Sequence, residues 1–573
     1  MINGNITQER VADAYLSGLL EQGIEYVFAN AGTDFAPIVE ALAEANKSGR
    51  KVPRFVTVPH ENLAMAMANG YYRISGKPAA VMVHTTPGTA NALCGLMNAA
   101  KDYVPVLLAA GRTPLTETGF AESRNMPIHW GQENFDQGGM VREYVKWDYE
   151  LRSGQCVESV LGRALDIAMS EPRGPVYLSL PREVLGGTVT ADSRDPDSRT
   201  LGNIPAEPSA KAIQEAAELI TKAKFPLIIT STSGRNSATV GHLAALADDF
   251  DIAVVQPGTQ DMNLPSDHPM HLGYQAGPFL EKADVIVVID SDIPWIPRTV
   301  SPAPGAKVIH IAADPLYSRY PIRGFQMDLP IAGSSAVAVP MLHSALASLV
   351  KDKNQSKHRR AEIEAAHQKR RDQRETDFTE AAAQTYVHPL LITQSLNELK
   401  SEDSIVINEI GLGIDPSYLD LTMPGTYLSG GTASGLGFGI GAALGAKLAA
   451  GSRDVIAVVG DGSYMFGNPI PCHFVARTEN LPTLTIVANN SSWHAVHKST
   501  VGIYPDGAAA RANTRTLTDL TPSPSFEKAI ETSDGFGQRV DHPENLHAAI
   551  KRGLEAVRDG TPALINVITK GRV

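Results

Sequence analysis

Three groups of residues in this chain have the types and spacing for chemistry. The first is Gly460-Asp461-Gly462-Ser463, which follows the apolar run Val455 to Val459. The second is Asn489-Asn490, which closes a further apolar run, Leu484 to Ala488. The third is His60-Glu61, just beyond the short run Phe55 to Val58. Such runs read as buried parallel strands, so each group falls at a strand's carboxyl end. Gly460 and Gly462 let the backbone turn sharply and approach a ligand closely. The N–H groups that open the next segment suit an anionic phosphate. In neighbouring parallel strands the Asp461 carboxylate, the Asn490 amide oxygen and the Ser492 carbonyl can converge. Oxygen ligands beside a diphosphate are what Mg²⁺ prefers, because it takes few protein ligands and fills its octahedron with phosphate and water. On its own, Gly-Asp-Gly reads first as a tight turn; its pairing with Asn-Asn at this distance is what points to a metal and diphosphate loop. Glu61 alone reads equally as a carboxylate favoured at a helix start by the helix dipole.

These groups need elements to hold them. Thr7 to Gln22 carries apolar residues at helical spacing, Tyr26 to Ala29 is a strand, and Gly32-Thr33-Asp34 starts a helix running to about Ala45. A helix rich in alanine and methionine follows Glu61 to Tyr72. Ala79 to His84 is a strand, Thr85 to Gly88 a loop, Ala90 to Ala100 a helix, and Val104 to Ala110 a strand. This alternation predicts a doubly wound parallel sheet that binds ligands outside the carboxyl ends of its strands. Gly186 to Pro208 reads as a polar linker. A second unit has strands at Pro226 to Thr230, Ala253 to Gln256, Val285 to Ile289 and Lys307 to Ile311. Lys351 to Asp377, dense in charge, reads as a solvated helix joining two domains. The third unit begins near His388. In it the glycines of Gly441 to Gly445 read as close helix–sheet packing, and Gly502 to Thr516 as a mobile lid or plain surface.

Composition sets the outer limits. The chain has 573 residues, is 43% hydrophobic and 20% charged, and carries a formal net charge of −12. That length predicts several domains. The acidic balance argues against nucleic acid as a partner. Cys94, Cys156 and Cys472 are far apart without metal-ligand spacing, which points to a reduced compartment. With no signal-like start and no run near the roughly 20 apolar residues of a membrane span, the reading is a cytoplasmic protein without membrane association.

The Gly-Asp-Gly to Asn-Asn spacing resembles the thiamine diphosphate signature. Pro59 to Arg112 resembles the pyrimidine-binding domain of the acetolactate synthase, pyruvate oxidase and benzoylformate decarboxylase-like family, with Asn69 to Arg73, Thr85 to Asn91 and Val104 to Val106 on its DGYAR-, TSGPGATN- and VPV-like segments. Gly430 to Leu448 resembles its GLGTMGFGLPAAIGA segment. The order of segments is closest to acetolactate synthase large-subunit-like proteins. The resemblance implies an α/β protein of three doubly wound parallel-sheet domains: pyrimidine-binding (1–188), central (206–350) and diphosphate-binding (386–573), the last two joined by a charged helical linker (351–385).

The implied cofactors are thiamine diphosphate and Mg²⁺. Glu61 would bond N1′ of the aminopyrimidine, and Leu436 would prop the cofactor in its bent shape. Gly88, Asn91, Gly435, Gly460, Asp461, Gly462, Ser463 and Asn490 would also contact the cofactor, with Asp461, Asn490 and the Ser492 carbonyl on the metal. Gln132 joins Glu61 and Leu436 as a catalytic candidate. Thr33, His84, His129, Lys146, Trp493 and His494 are candidates for substrate contact. His84, Trp493 and His494 depart from the synthase pattern, and Gly411-Leu412-Gly413 replaces its Gly-Gln-His. Family members hold FAD, ADP or nothing in the central domain; poorly matched segments here disfavour FAD or ADP. The reaction implied first is carboligation of pyruvate or a related 2-oxo acid through a C2 ylid and an enamine. The second is decarboxylation or carbon–carbon cleavage of a 2-oxo or 2-hydroxyacyl substrate. A cofactor-binding regulatory subunit without catalysis is the remote third. The family forms its sites between subunits, which implies a homodimer or homotetramer acting on a small 2-oxo acid or aldehyde.

Overall fold

The computed structural model describes residues 8–190, 201–350, 357–409, 414–512 and 515–569. The chain divides into two compact units, one of residues 1–204, 430–451 and 466–481, the other of residues 205–429, 452–465 and 482–573.

The first unit is built on a six-stranded parallel sheet. Its early strands are β2 (Tyr26–Asn30), β3 (Arg54–Thr57) and β4 (Ala79–Val83). Its later ones are β5 (Val106–Arg112), β6 (Asp148–Glu150) and β7 (Val176–Pro181). They lie in the order β3-β2-β4-β5-β7-β6. The winding reverses between β2 and β4, and crossovers at such a point leave a crevice outside the carboxyl ends. β4 and most of β5 are buried, as their continuous alanine, valine and leucine runs require in a sheet covered on both faces.

The helices that matter here are α1 (Val11–Glu21), α2 (Ala36–Ser48), α3 (Glu61–Ser75), α4 (Thr85–Lys101) and α5 (Val157–Met169). Two local readings change. The expected helix from Thr7 instead begins at Val11, because Gln8–Arg10 (β1) pairs antiparallel with Thr188–Thr190 (β8), inside the stretch read as linker. Pairing across so much chain leaves no local periodicity to read. The expected loop Thr85 to Gly88 is the first turn of α4; Pro87 is tolerated there because first-turn N–H groups have no intrahelical acceptor.

The second unit holds two further parallel sheets. The central one is β10-β9-β11-β12-β13, from β9 (Pro226–Thr230), β10 (Ala253–Val255), β11 (Val285–Ile289), β12 (Lys307–Ala312) and β13 (Leu329–Ala332). The other is β15-β14-β16-β17-β19-β18. Its members are β14 (Ile405–Asn408), β15 (Tyr427–Ser429), β16 (Val455–Gly460), β17 (Leu484–Asn489), β18 (Phe536–Val540) and β19 (Ala563–Ile568). The charged stretch before residue 383 forms the long helix α6 (Lys357–Ala382). Gly411-Leu412-Gly413 lies outside the described residues.

Helix α7 (Gly439–Ala450) belongs to the first unit, where it packs on α3. This corrects the expected helix–sheet role of its glycines. A Cβ on Gly445 would lie 1.9 Å from the Met67 carbonyl oxygen, and one on Gly70 would lie 2.0 Å from that of Ala442. Both obstacles are backbone, so neither can move aside alone. Gly445→Ala should therefore destabilise the protein by about 1–3 kcal/mol through overpacking, despite alanine's better helix propensity. Urea unfolding of the variant against the wild type measures this; an unchanged or raised midpoint would contradict the packing argument.

Candidate active site

The first cluster sits at the winding reversal of the first unit, where β2, β3 and β4 end in Asn30, Thr57 and Val83. Glu61 opens α3 and is buried. The Asn30 side chain donates to its Oε1 at 2.9 Å and the Asn91 side chain to its Oε2 at 3.1 Å. Each oxygen is thus fixed by one amide donor and keeps lone-pair capacity for another. Gly88 faces the same carboxylate: a Cβ there would come within 3.3 Å of Glu61 Oε1. Glu61, Gly88 and Asn91 are therefore brought together.

Gly435 and Leu436 lie beside the first turn of α3. Asn98 clamps Gly435, donating to its carbonyl at 2.8 Å and accepting from its N–H at 2.9 Å. The Asn62 side chain reaches the Leu436 carbonyl at 3.5 Å, and the Leu436 side chain is half-buried. The Leu436 backbone is thus held by the residue that follows Glu61.

His84 follows β4 directly, and its Nδ1 lies 2.5 Å from Oδ1 of the buried Asp34. Two glycines make room for this pair. A Cβ on Gly32 would fall 2.1 Å from His84 Nδ1, and one on Gly111 would fall 1.5 Å from Asp34 Oδ2. The Asp34 carboxylate holds the imidazole pKa above its ordinary value of 6.5, against burial, with smaller contributions from Gln132 and Glu61. His129 goes the other way: burial, then the Arg182 and Arg124 guanidiniums, push its pKa down. Its Nδ1 accepts the Asn125 N–H at 3.2 Å, which leaves the proton on Nε2, 3.5 Å from Thr33 Oγ1. Gln132 is tied to the same wall, accepting from Thr85 Oγ1 at 3.3 Å through its side chain and from Thr86 Oγ1 at 2.7 Å through its backbone. Thr85 holds a φ of +31°, a strained value for a β-branched residue, of the kind that costs about 1–3 kcal/mol.

Lys146 does not join this cluster, contrary to expectation. Its ammonium donates to the carbonyls of Ile167 at 2.5 Å and Ser170 at 2.6 Å. A cation at the end of α5 satisfies carbonyls that have no intrahelical donor, so it caps that helix.

The second cluster lies in the second unit. β16 and β17 pair in register with Gly460 opposite Ala488, which sets Asp461 and Asn490 at neighbouring strand ends. Asp461 and Ser463 are buried and open α8 (Asp461–Phe466). Asp461 Oδ1 accepts the Gly462 N–H at 2.9 Å, while Oδ2 is buried without a hydrogen-bond partner. Burial raises the carboxyl pKa, opposed by the N–H groups of Gly462, Ser492 and Ser491. The Asn490 amide oxygen accepts the Ser492 N–H at 2.9 Å. Among the described residues no group of three His, Cys, Asp or Glu side chains could hold a metal ion. One buried carboxylate oxygen, one amide oxygen and one carbonyl instead suit Mg²⁺ with a diphosphate completing its shell.

Trp493 and His494 follow this loop. The Trp493 indole lies against Gly462, with its ring carbon Cζ3 2.2 Å from where a Cβ would be. The backbone N–H of Trp493 donates to the Thr518 carbonyl at 2.8 Å, and that of His494 to the Ser492 carbonyl at 2.8 Å. This indole packs on the Gly-Asp-Gly turn itself.

Family models match three stretches: the thiamine pyrophosphate enzyme N-terminal TPP binding domain over residues 9–140, the central domain over 213–342 and the C-terminal TPP binding domain over 416–567. The chain belongs to the thiamine pyrophosphate enzymes. It is 25% identical over 600 residues to the sulfoacetaldehyde acetyltransferase of Alcaligenes xylosoxydans xylosoxydans, covering 97% of this chain and 92% of that one. It is 24% identical over 588 residues to the acetolactate synthase isozyme 3 large subunit of Escherichia coli (strain K12), covering 98% and 95%. Among solved structures, the thiamine diphosphate-dependent 4-hydroxybenzoylformate decarboxylase of Rhodococcus jostii RHA1 matches with a TM-score of 0.78 at 22% identity, covering 98% and 100%. The last likeness speaks to the fold.

Asn30, Asp34, Asn62 and Asn98 escaped the sequence reading. Asn30 ends a strand and Asp34 lies just after one, at the winding reversal, and that position is the signal that could have found them. The space argument gives a direct test. Gly32→Ala should displace the imidazole and separate it from Asp34, so that the His84 pKa measured by NMR falls back to about 6.5 or below.

Proposed function

We propose that this enzyme is a thiamine diphosphate-dependent decarboxylase, or carbon–carbon lyase, of a 2-oxo or 2-hydroxyacyl substrate, with His84 as its proton donor. The observation that carries this reading is the His84–Asp34 pair on the same wall as Glu61. Thiamine diphosphate, when bound, supplies the electron sink for cleaving a bond next to a carbonyl. Glu61, fixed by Asn30 and Asn91, is a carboxylate placed to share a proton with a ring nitrogen of the cofactor, and Leu436 is the apolar support beside it. Asp461, Asn490 and the Ser492 carbonyl are proposed to hold Mg²⁺, with the Gly460–Ser463 turn against the diphosphate.

Loss of the substrate carboxylate as CO2 leaves the bonding electron pair on carbon, which must gain a proton before the product departs. His84 suits that step. Asp34 accepts from Nδ1 and raises the imidazole pKa, so Nε2 keeps its proton to a higher pH than in a free imidazole. Carboligation replaces that proton with a second carbonyl compound, so an imidazolium at the site works against it. This reverses the order favoured by the sequence. Carboligation remains the second reading, favoured by relatives named acetolactate synthase and sulfoacetaldehyde acetyltransferase that match almost the whole chain. Assembly as a homodimer or homotetramer is part of the proposal; the exposed Leu115, Phe120, Trp130 and Phe135 on one stretch support it.

Glu61→Gln should lower kcat by at least about 100-fold, the low end of what one acid–base group contributes, while leaving the circular dichroism spectrum unchanged. Turnover at wild-type rate would end the assignment. Assay against a panel of 2-oxo acids, with and without aldehyde acceptors, separates the two readings by product: aldehyde for the first, a ligated hydroxyketone for the second.

The pH dependence has a definite sign. Activity that needs protonated His84 should fall as pH rises through a value above 6.5, and Asp34→Asn should move that fall to lower pH. The folded pKa exceeds the unfolded one, so the pair also stabilises the fold below about pH 6.5, and that stability is lost as pH rises through the raised value. A kcat–pH profile with the same alkaline limb in wild type and Asp34→Asn would remove His84 from the mechanism.

A further inference from the structure

The central sheet has its own winding reversal, between β9 and β11, and the crevice outside those strand ends is where an open α/β sheet takes a nucleotide. The family resemblance raises FAD or ADP as its occupant. Here the chain itself fills the place. Ser231 Oγ, just after β9, donates to the Pro257 carbonyl at 2.7 Å and lies 2.7 Å from Ser291 Oγ, just after β11. Thr232 Oγ1 donates to the Asp290 carbonyl at 3.0 Å. These contacts close the mouth between the two strand ends.

Asn263 completes the closure. It is wholly buried, and its amide nitrogen lies 3.1 Å from the Ser231 carbonyl, 2.9 Å from Thr259 Oγ1 and 2.9 Å from the Asp261 carbonyl. Its amide oxygen accepts the Gly234 N–H at 2.8 Å. That N–H belongs to the turn after β9, the position whose backbone donors would meet a phosphate. The 257–264 segment lies hard against the turn: a Cβ on Gly234 would fall 1.9 Å from the Met262 carbonyl oxygen. Arg235, the nearest cation on the turn, points its guanidinium to Asp261 Oδ2 at 3.1 Å and Gln260 Oε1 at 3.2 Å. The Gly234 N–H and the outer Arg235 guanidinium nitrogen are thus committed to the protein's own acceptors.

We infer that the central domain of this enzyme is closed to FAD and ADP, with the 257–264 segment, keyed by Asn263, standing where a nucleotide would lie. The test uses the full chain loaded with thiamine diphosphate and Mg²⁺. Its absorbance spectrum should lack the flavin band, heat-released supernatant should contain no adenine nucleotide, and added FAD or ADP should leave the Tm unchanged where thiamine diphosphate raises it. Stoichiometric flavin or ADP, or a Tm that climbs with the concentration of either, overturns the inference. Asn263→Ala should lower the Tm by removing the key, and neither nucleotide should restore it. Restoration by FAD or ADP would show a ligand site beneath the segment and would equally overturn it.

Discussion

The near-contact of the α3 and α7 backbones is the constraint on which the first unit's chemistry rests. Gly70, Gly441 and Gly445 let two helices approach at a distance that no side chain would allow. Glu61 opens α3 and Leu436 stands just ahead of α7, so the same packing that buries the helices fixes the backbone at both residues. Asn98 and Asn62 then hold the approach to α7 by its backbone, not by its side chains. Position is fixed where rotamer freedom is least, which is how a site keeps its geometry without flexible contacts.

Charge is managed just as closely. Two histidines face the same crevice and are driven in opposite directions. A carboxylate in contact raises the His84 pKa, while burial and two guanidiniums lower that of His129. Separating the pKa values of neighbouring groups in this way is how one wall can present two imidazoles of different proton affinity. In the second unit the buried Asp461 oxygen without a partner is a deficit that a bound cation would repair, since an isolated buried carboxylate is strongly disfavoured.

Much of the fold was legible because parallel strands buried on both faces announce themselves as short apolar runs. β4, β5, β11, β16 and β17 were read nearly to their ends. Asp461, Asn490 and Glu61 could be picked out because each terminates or follows such a run. What the sequence hid was whatever depends on remote segments meeting. Thr188–Thr190 looks like linker until Gln8–Arg10 pairs with it. Lys146 looks like a substrate contact until the end of α5 arrives beneath it. Thr85-Thr86-Pro87-Gly88 has the composition of a loop, and only the cap geometry at His84 makes it a helical turn. The His84–Asp34 pair joins residues fifty positions apart, and nothing in either neighbourhood names the other.

The two glycines beneath that pair carry a lesson about order. Neither Gly32 nor Gly111 needs an unusual backbone angle; each is small because the histidine and the aspartate occupy the volume a methyl group would take. A relative with side chains at those two positions could not acquire the pair by substituting His and Asp alone, because both would arrive in filled space. The vacancies have to come first, and they bring no advantage until the polar residues follow. Transplanting this histidine–aspartate pair into another scaffold is therefore a four-residue operation with a prescribed sequence of steps, in which the space-making changes precede the polar ones.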